Sequence, residues 1–232
     1  MKAPTVLLER ESQMPDRKPR MTFGLIRQRT RVALDSARIG LARRLSGRGG
    51  ALLMSELRLR VFKATEEGQA FFRSMTAAGV PADEAGRTLR SLAATDPRLG
   101  RWYDYGVVSR KVITDAGVAF IVDDWDTSAT DITNFNSHGY GTGTASEAVG
   151  DIALGAEQET PRGAGTKSQP AANQLRSVQT HTFAATFAIT EHGIFSAATA
   201  GTLWDRSVFS AINVVSGDAI QATYTATLSS GG

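Results

Sequence analysis

A glycine-rich segment, Gly139-Tyr140-Gly141-Thr142-Gly143-Thr144, has the residue types with which many proteins bind phosphate. Repeated glycines let backbone N–H groups approach a phosphate closely, as in dinucleotide-binding and P-loop proteins. Here the third glycine of the dinucleotide pattern is missing, no P-loop lysine follows, and the next charged residue is the acidic Glu147. We therefore predict a glycine-rich turn between strands and no phosphate site.

Four carboxylates fall within nine residues, at Asp123, Asp124, Asp126 and Asp131. Clustered oxygens are the ligands that Ca²⁺ prefers, but an EF-hand loop needs a glycine at its sixth position and a closing glutamate. Ser128 occupies the sixth position and no glutamate closes the loop. The pattern favours a solvated acidic helix end over a weak divalent-ion site, and we predict neither a metal nor a cofactor.

Glu191, His192 and Ser196, with Asp205 and Ser207 further along, supply the residue types of a serine hydrolase. No nucleophile elbow of the form G-x-S-x-G occurs, and no histidine pair has metal-ligand spacing. The absence of cysteine excludes thiol nucleophiles, disulfides and zinc fingers. The histidines are His138, His181 and His192. We expect structural roles for all three and a protein that is not an enzyme.

The charge of the 232-residue chain is unevenly distributed, although its net value is only +3. Residues 1–60 carry 14 basic and 5 acidic side chains, a balance of +9, whereas residues 111–232 carry a balance of −7. Residues 61–110 are nearly neutral at +1. Clustered basic side chains attract phosphate or acidic protein surfaces, so the beginning of the chain is the expected partner-binding part.

Within residues 1–53, a basic arm containing three prolines precedes a predicted helix, Gly24–Leu45, which Ser46–Gly50 ends. The arginines that alternate with its apolar residues are Arg27, Arg31, Arg38, Arg43 and Arg44. A solvated basic helix and a helix that contacts a partner both fit, and nucleic acid would bind only nonspecifically. Met54 would also serve as a translation start, which would make residues 1–53 an extension. We predict no membrane partner.

Residues 54–110 are interpreted as a helical connecting region. Its predicted elements are an alternating strand, two helices and an aromatic loop or edge: Met54–Phe62, Glu66–Ala77, Ala82–Ala94 and Arg101–Gly106. The remainder, residues 111–232, is expected to be an autonomous, self-associating β-rich structural domain.

That domain is expected to begin with a helix, Ala116–Trp125, whose inner side carries Val118, Ile121, Val122 and Trp125. Alternating apolar and polar residues then predict four strands: Gln179–Ile189, Ile194–Ser196, Ser207–Val215 and Ala219–Leu228. The predicted fold class is α+β. A helical basic N-terminal region is followed by a mainly antiparallel β-sandwich or jelly-roll-like C-terminal domain.

Six motifs follow one another along this domain. They are Lys111–Val118, His138–Thr144, Ala172–Val178, Ile189–Ser196, Leu203–Val215 and Gly217–Thr225. Together they resemble a family of small virion structural proteins of tailed bacteriophages. The resemblance covers about half of the chain, from Lys111 to Gly232, and does not include the arginine-rich helix.

The resemblance implies a non-enzymatic component of the virion, most simply a capsid decoration or cement protein or a neck-associated protein. An alternative is a tail or fibre-attachment protein that contacts a host surface glycan, for which Tyr140 and Trp204 are the candidate exposed aromatics. The expected partners are capsid, portal, neck or tail subunits, together with further copies of the chain in a homo-oligomer, expected to be a trimer.

Overall fold

The computed structural model describes residues 52–110, 113–126 and 131–229, in which antiparallel strands predominate. The strands are β1 (Leu52–Ala64), β2 (Gly100–Ser109), β3 (Ser137–Gly141), β4 (Glu157–Ala164), β5 (Thr166–Ala171), β6 (Gln174–Thr182), β7 (Phe187–Phe195), β8 (Leu203–Val214) and β9 (Ala219–Ser229). The helices are α1 (Glu66–Ala77), α2 (Ala82–Ala93) and α3 (Asp115–Asp126), with a 3₁₀ turn at Ile132–Asn134.

The strands form two antiparallel sheets that share one hydrophobic core. The five-stranded sheet has the order β2-β1-β9-β6-β5, and the four-stranded sheet has the order β4-β3-β7-β8. Alternate residues of each strand point to one face, and both sheets supply residues to the same buried cluster. Among these residues are Leu57, Leu59, Val61 and Ile220 from the first sheet and Tyr140, Ile189, Phe209 and Ile212 from the second. The predicted mainly antiparallel architecture is confirmed.

The predicted strand at Met54–Phe62 is confirmed, and it lies inside the sheet with a neighbour on each side. β1 pairs with β9 from Leu52↔Ser229 to Phe62↔Ala219, and its other edge pairs with β2. Residues 54–110 therefore contribute two strands to the sheet that contains β9. Their interpretation as a helical connecting region, separate from residues 111–232, is corrected because the apolar face of β1 is buried only by packing against the rest of the molecule.

Both helices predicted for residues 54–110 are present and cover one end of the outer face of the five-stranded sheet. The Thr65 hydroxyl caps α1 by accepting a hydrogen bond from the backbone N–H of Gly68 at 3.2 Å. Phe72 of α1 and Leu89 of α2 pack on Phe62 of the sheet and leave almost no surface exposed. The second helix ends at Ala93, one residue before the predicted end.

The predicted strand Gln179–Ile189 is confirmed at its two ends but is not one strand, because the chain leaves one sheet and enters the other within it. β6 ends at Thr182 and β7 begins at Phe187. Phe183 lies between them, fully buried, with its backbone bonded to Gly217 and Asp218. The alternation of apolar residues continues through the crossing because Phe183 fills the core at that point.

The helix predicted at Ala116–Trp125 is present as α3, and of its predicted inner side Ile121 packs against the core whereas Val118 and Val122 do not. The side chain of Trp125 lies outside the described residues. Val118 and Val122 are 47% and 55% exposed. The side facing the core carries Gly117, where a Cβ would lie 2.9 Å from the carbonyl oxygen of Trp204, and Phe120, which stacks edge-on against Phe135. The close approach at Gly117 rotates the valines outward.

Candidate functional site

The residues predicted to contact a partner are Arg27, Arg31, Arg38, Arg43 and Arg44, and all five lie outside the described residues. Their role stays a prediction. No helix in the described ranges is both long enough and apolar enough to span a bilayer.

A buried histidine pair lies between the two sheets. Nδ1 of His138 is 3.0 Å from Nε2 of His192, and Nε2 of His138 is 2.8 Å from the Ser177 hydroxyl. β3 and β7 place both rings on the inward face, and β6 of the opposite sheet supplies the serine. Each of the three residues is 1% exposed. The chain of hydrogen bonds can fix the two ring tautomers, but its members do not meet solvent.

Burial keeps both rings of this pair neutral. It lowers the pKa of His138 to about 3, and it holds the pKa of His192 well below its ordinary value, with the neighbouring His138 adding to the effect. A neutral imidazole has one donor and one acceptor, so His192, His138 and Ser177 can form one continuous chain of hydrogen bonds. The predicted structural role fits this geometry for His138 and His192.

The third histidine, His181, lies beside Tyr140 between the two sheets. Its Nε2 lies 2.7 Å from Oε2 of Glu159, and its ring stacks beside that of Tyr140. The Tyr140 hydroxyl donates to Oε1 of Gln179 at 2.8 Å across the interface between the sheets. These contacts join β4 and β3 to β6.

A buried carboxyl, that of Asp205, forms a second polar group in the core. Ser55 donates to its Oδ2 at 2.5 Å and Ser207 to its Oδ1 at 3.1 Å. Burial raises the pKa of Asp205 to about 6, although both hydroxyls oppose the rise. Beside it, the indole N–H of Trp204 donates to the Tyr224 hydroxyl at 2.7 Å.

The residue types of a serine hydrolase do not form a triad. Glu191 and His192 are neighbours on β7 and therefore point to opposite faces of the sheet. The Ser196 hydroxyl accepts the backbone N–H of Thr202 at 2.9 Å, and Ser207 donates to Asp205. The side chains of Ser207 and Asp205 bond to each other, and within the described residues neither forms a hydrogen bond to the side chain of His192 or Ser196.

Glu191 organises the outer face of the four-stranded sheet. Its Oε1 accepts the backbone N–H groups of Gly143 and Ala156, both at 2.8 Å, and its Oε2 accepts that of Gly155 at 2.9 Å. Nε of Arg206 donates to the same Oε2 at 2.8 Å. Burial alone would raise the pKa of Glu191, but these donors hold it below its ordinary value. The residue is fully buried and charged.

The glycine-rich segment is explained by this carboxylate. The predicted turn is wrong for Gly139–Gly141, which belongs to the buried strand β3. A Cβ on Gly141 or Gly143 would lie 2.4 or 2.5 Å from Oε1 of Glu191. The glycines thus let the backbone bind an anion, which was not predicted, and that anion is the chain's own Glu191.

Arg206 connects the same carboxylate to the loop between β3 and β4. Its Nη1 donates to Oδ2 of Asp151 at 2.9 Å, and its Nη2 donates to the carbonyl of Ala145 at 3.1 Å. Leu154 of this loop packs on Phe195 and Leu203. The loop is therefore fixed by buried charge and by apolar contact.

The remaining candidates have structural positions. Asp131 caps the 3₁₀ turn by accepting the backbone N–H of Thr133 at 2.8 Å, and the described residues hold no cluster of three metal-ligating side chains. Tyr140 and Trp204 are 2% and 5% exposed, so the expectation that these aromatics lie in loops, available to a glycan, is wrong.

The structure also brings together residues that the sequence did not single out. Ser177 meets the histidine pair, Glu159 meets His181, and Arg87 and Arg90 of α2 line a groove on the five-stranded sheet. The one sequence feature that could have indicated the groove is the spacing of Arg87 and Arg90, which places both arginines on one face of α2.

Described by its structure, the protein belongs to the two-sheet antiparallel β class, with a polar layer buried in its core. Comparison of the chain with protein-family models, with curated proteins and with solved structures found no match in any of the three. Its functional assignment rests on its own residues and their geometry.

The buried titratable groups predict a specific loss of stability in acid. In the unfolded chain the histidines titrate near 6.5, so as the pH falls below that value, unfolding takes up protons at His138 and His192 and stability falls. Asp205 acts in the opposite direction between pH 3.8 and about 6, because the folded carboxyl is protonated first. Near pH 5 these three groups leave a net uptake of about one proton, and each proton contributes about 1.4 kcal/mol per pH unit.

Replacement of Asp205 by Asn removes the opposing contribution. We therefore expect the free energy of unfolding to fall more steeply in acid, by about one additional proton or about 1.4 kcal/mol per pH unit. The serine hydroxyls can donate or accept, so the amide is accommodated. Urea unfolding between about pH 4.5 and 6 measures the slope. Asp104→Asn, at a side chain 54% exposed, is the matched control. An Asp205→Asn slope equal to that of the unmodified chain would contradict the prediction.

Proposed function

We propose that the chain is a non-enzymatic structural component of a tailed-phage virion, in the class of capsid decoration, cement or neck-associated proteins. The observation that carries the proposal is where the family-like motifs fall. The motifs that begin at His138, Ala172, Ile189, Leu203 and Gly217 coincide with β3, β6, β7, β8 and β9. The resemblance therefore follows the framework of both sheets rather than one loop.

The hydrogen-bond partners of the buried polar residues support a structural role. The histidines, the hydrolase-type serines and the buried carboxylates bond to side chains of the two sheets or to backbone groups. Buried networks of this kind stabilise one arrangement of the strands. A protein that must keep its shape within a particle benefits from such rigidity.

Of the four edge strands of the two sheets, one is suited to association between copies. Pro161 lies in edge strand β4, and Lys167 and Pro170 lie in edge strand β5, where they hinder pairing with another strand. Thr114, which precedes α3, bonds to the backbone of β8 at that strand's edge. β2 contains no proline, and no such cover lies on it among the described residues, so we propose it as the side through which the expected homo-oligomer forms.

Copy number in purified particles tests this proposal. Quantitative mass spectrometry of virions from the virus that encodes the chain is expected to detect it, with hundreds of copies for a shell protein and about a dozen for a neck protein. Absence of the chain from washed, infectious particles would overturn the proposal.

The basic segment is the proposed anchor to the particle, through Arg27, Arg31, Arg38, Arg43 and Arg44. We expect incorporation into particles to fall at least severalfold when these five residues are replaced by Gln, because each exposed charge contributes little alone but several act together. Quantitative blotting of purified particles at two salt concentrations measures the effect.

A second variant separates loss of anchoring from loss of folding: a chain that lacks residues 1–51 but keeps the whole of β1. It should lose incorporation as the Gln variant does while retaining the unfolding transition of the sandwich. Normal incorporation of both chains at every salt concentration would contradict anchoring and favour Met54 as the working start.

A further inference from the structure

A polar groove of about 620 Å³ lies on the outer face of the five-stranded sheet. Its floor includes Thr180 and Gln221, cross-strand neighbours on β6 and β9 that are joined by a 3.2 Å hydrogen bond. One wall is α2, and the other is the corner between β4 and β5. The volume lies within the range of small-ligand sites.

The α2 wall places three charged residues along one side of the groove, at Asp83, Arg87 and Arg90. Their spacing of four and three residues puts them on one helix face. Arg90 is half-buried and donates to the Thr182 hydroxyl at 2.7 Å. Thr182 therefore fixes the guanidinium at the groove while leaving its other N–H groups available.

Neither arginine is neutralised by a direct ion pair. Within the described residues, no carboxylate oxygen lies within 4.0 Å of Arg87 or Arg90. Burial lowers the pKa of Arg90 to about 10, with Asp83 opposing and Arg87 adding to the shift, and the side chain stays charged at neutral pH. A partly buried cation without a direct ion-pair partner favours an anion in the groove.

We propose that this groove binds an acidic oligosaccharide, with a sugar carboxylate held by Arg87 and Arg90 and sugar hydroxyls bonded to Asp83, Thr180 and Gln221. The proposal goes beyond the structural role, since it adds a ligand site to a virion component. Hydroxyl and amide groups on the floor both donate and accept, as sugar hydroxyls require.

The same residues argue against a phosphodiester chain. Asp83 stands one turn from Arg87, and its carboxylate can only accept hydrogen bonds, so it favours a ligand with hydroxyl donors, which the backbone of a DNA phosphodiester lacks. A sugar chain presents hydroxyls, which can donate to that carboxylate. The floor also lacks the aromatic rings on which the bases of a single-stranded nucleic acid stack.

Isothermal titration calorimetry of the full chain tests the proposal with three probes: trigalacturonate, neutral galactotriose and an oligothymidylate of similar length. We expect saturable binding of trigalacturonate, with galactotriose and the oligothymidylate each at least tenfold weaker. Equal affinity for galactotriose, equal or tighter binding of the oligothymidylate, or no binding of trigalacturonate would overturn the proposal.

Variants locate the site. Arg87→Gln, at an exposed position, is expected to weaken trigalacturonate binding about tenfold or more, because it removes a charge-assisted hydrogen bond. Arg90→Lys keeps the charge but loses the planar donor pair, so a smaller loss is expected. Arg73→Gln, exposed on α1, is the matched control. Unchanged binding in Arg87→Gln, or an equal loss in Arg73→Gln, would place the ligand elsewhere and overturn the assignment.

Discussion

A chain shortened to residues 111–232 is expected not to fold, although its sequence pattern suggests an autonomous β-rich unit. β9, the central strand of the five-stranded sheet, would lose its partner β1 along its whole length. The core would lose Leu57, Leu59 and Val61, all at most 1% exposed. Complete burial of each such side chain contributes roughly 1.5–3 kcal/mol, and the total stability of a domain is only about 5–15 kcal/mol.

Far-UV circular dichroism and urea unfolding of the shortened chain measure this effect, with residues 52–232 as the control. The control retains every strand of the described residues and should show a strand spectrum and a cooperative transition. The shortened chain should show neither. A cooperative transition in residues 111–232, at a similar urea midpoint, would contradict the role given to β1 and restore an independent domain.

The local elements could be predicted because their signals are local. The alternation in Met54–Phe62, the threonine cap before α1 and the alternation in Ala219–Leu228 each specify an element within about ten residues. What the sequence did not reveal was that the first of these strands pairs with the last. Strand pairing over such a separation depends on contacts across the fold, and alternation says which face is buried but not which strand lies beside it.

The buried polar groups show a second limit on what can be predicted from the sequence. The glycine-rich segment was predicted to be a turn without an anion site, and nothing in its own residues indicated that its backbone binds Glu191 on β7, which lies 48 residues beyond Gly143. The histidine spacing likewise gave no sign that His138 and His192 meet. Both are consequences of strand register, in which residues distant in sequence become neighbours.

The buried carboxylate of Glu191 is expected to be one of the most sensitive single positions in the molecule. All the groups bonded to its two oxygens are donors: three backbone N–H groups and Arg206. In Glu191→Gln an NH₂ group replaces one oxygen and faces these donors, and buried Arg206 keeps only Asp151 as a charged partner. Removing one partner of a buried ion pair typically costs about 3–5 kcal/mol.

Urea unfolding of Glu191→Gln at neutral pH measures that loss, and Glu56→Gln is its matched control. Glu56 makes the same kind of contact to Arg110, but their side chains are 39% and 41% exposed, so a loss of about 0–1 kcal/mol is expected. Because Glu191 also fixes the loop between β3 and β4, amide exchange at Gly143, Gly155 and Ala156 should accelerate in its variant. Equal losses in the two variants, with unchanged exchange in that loop, would show that the carboxylate does not organise it.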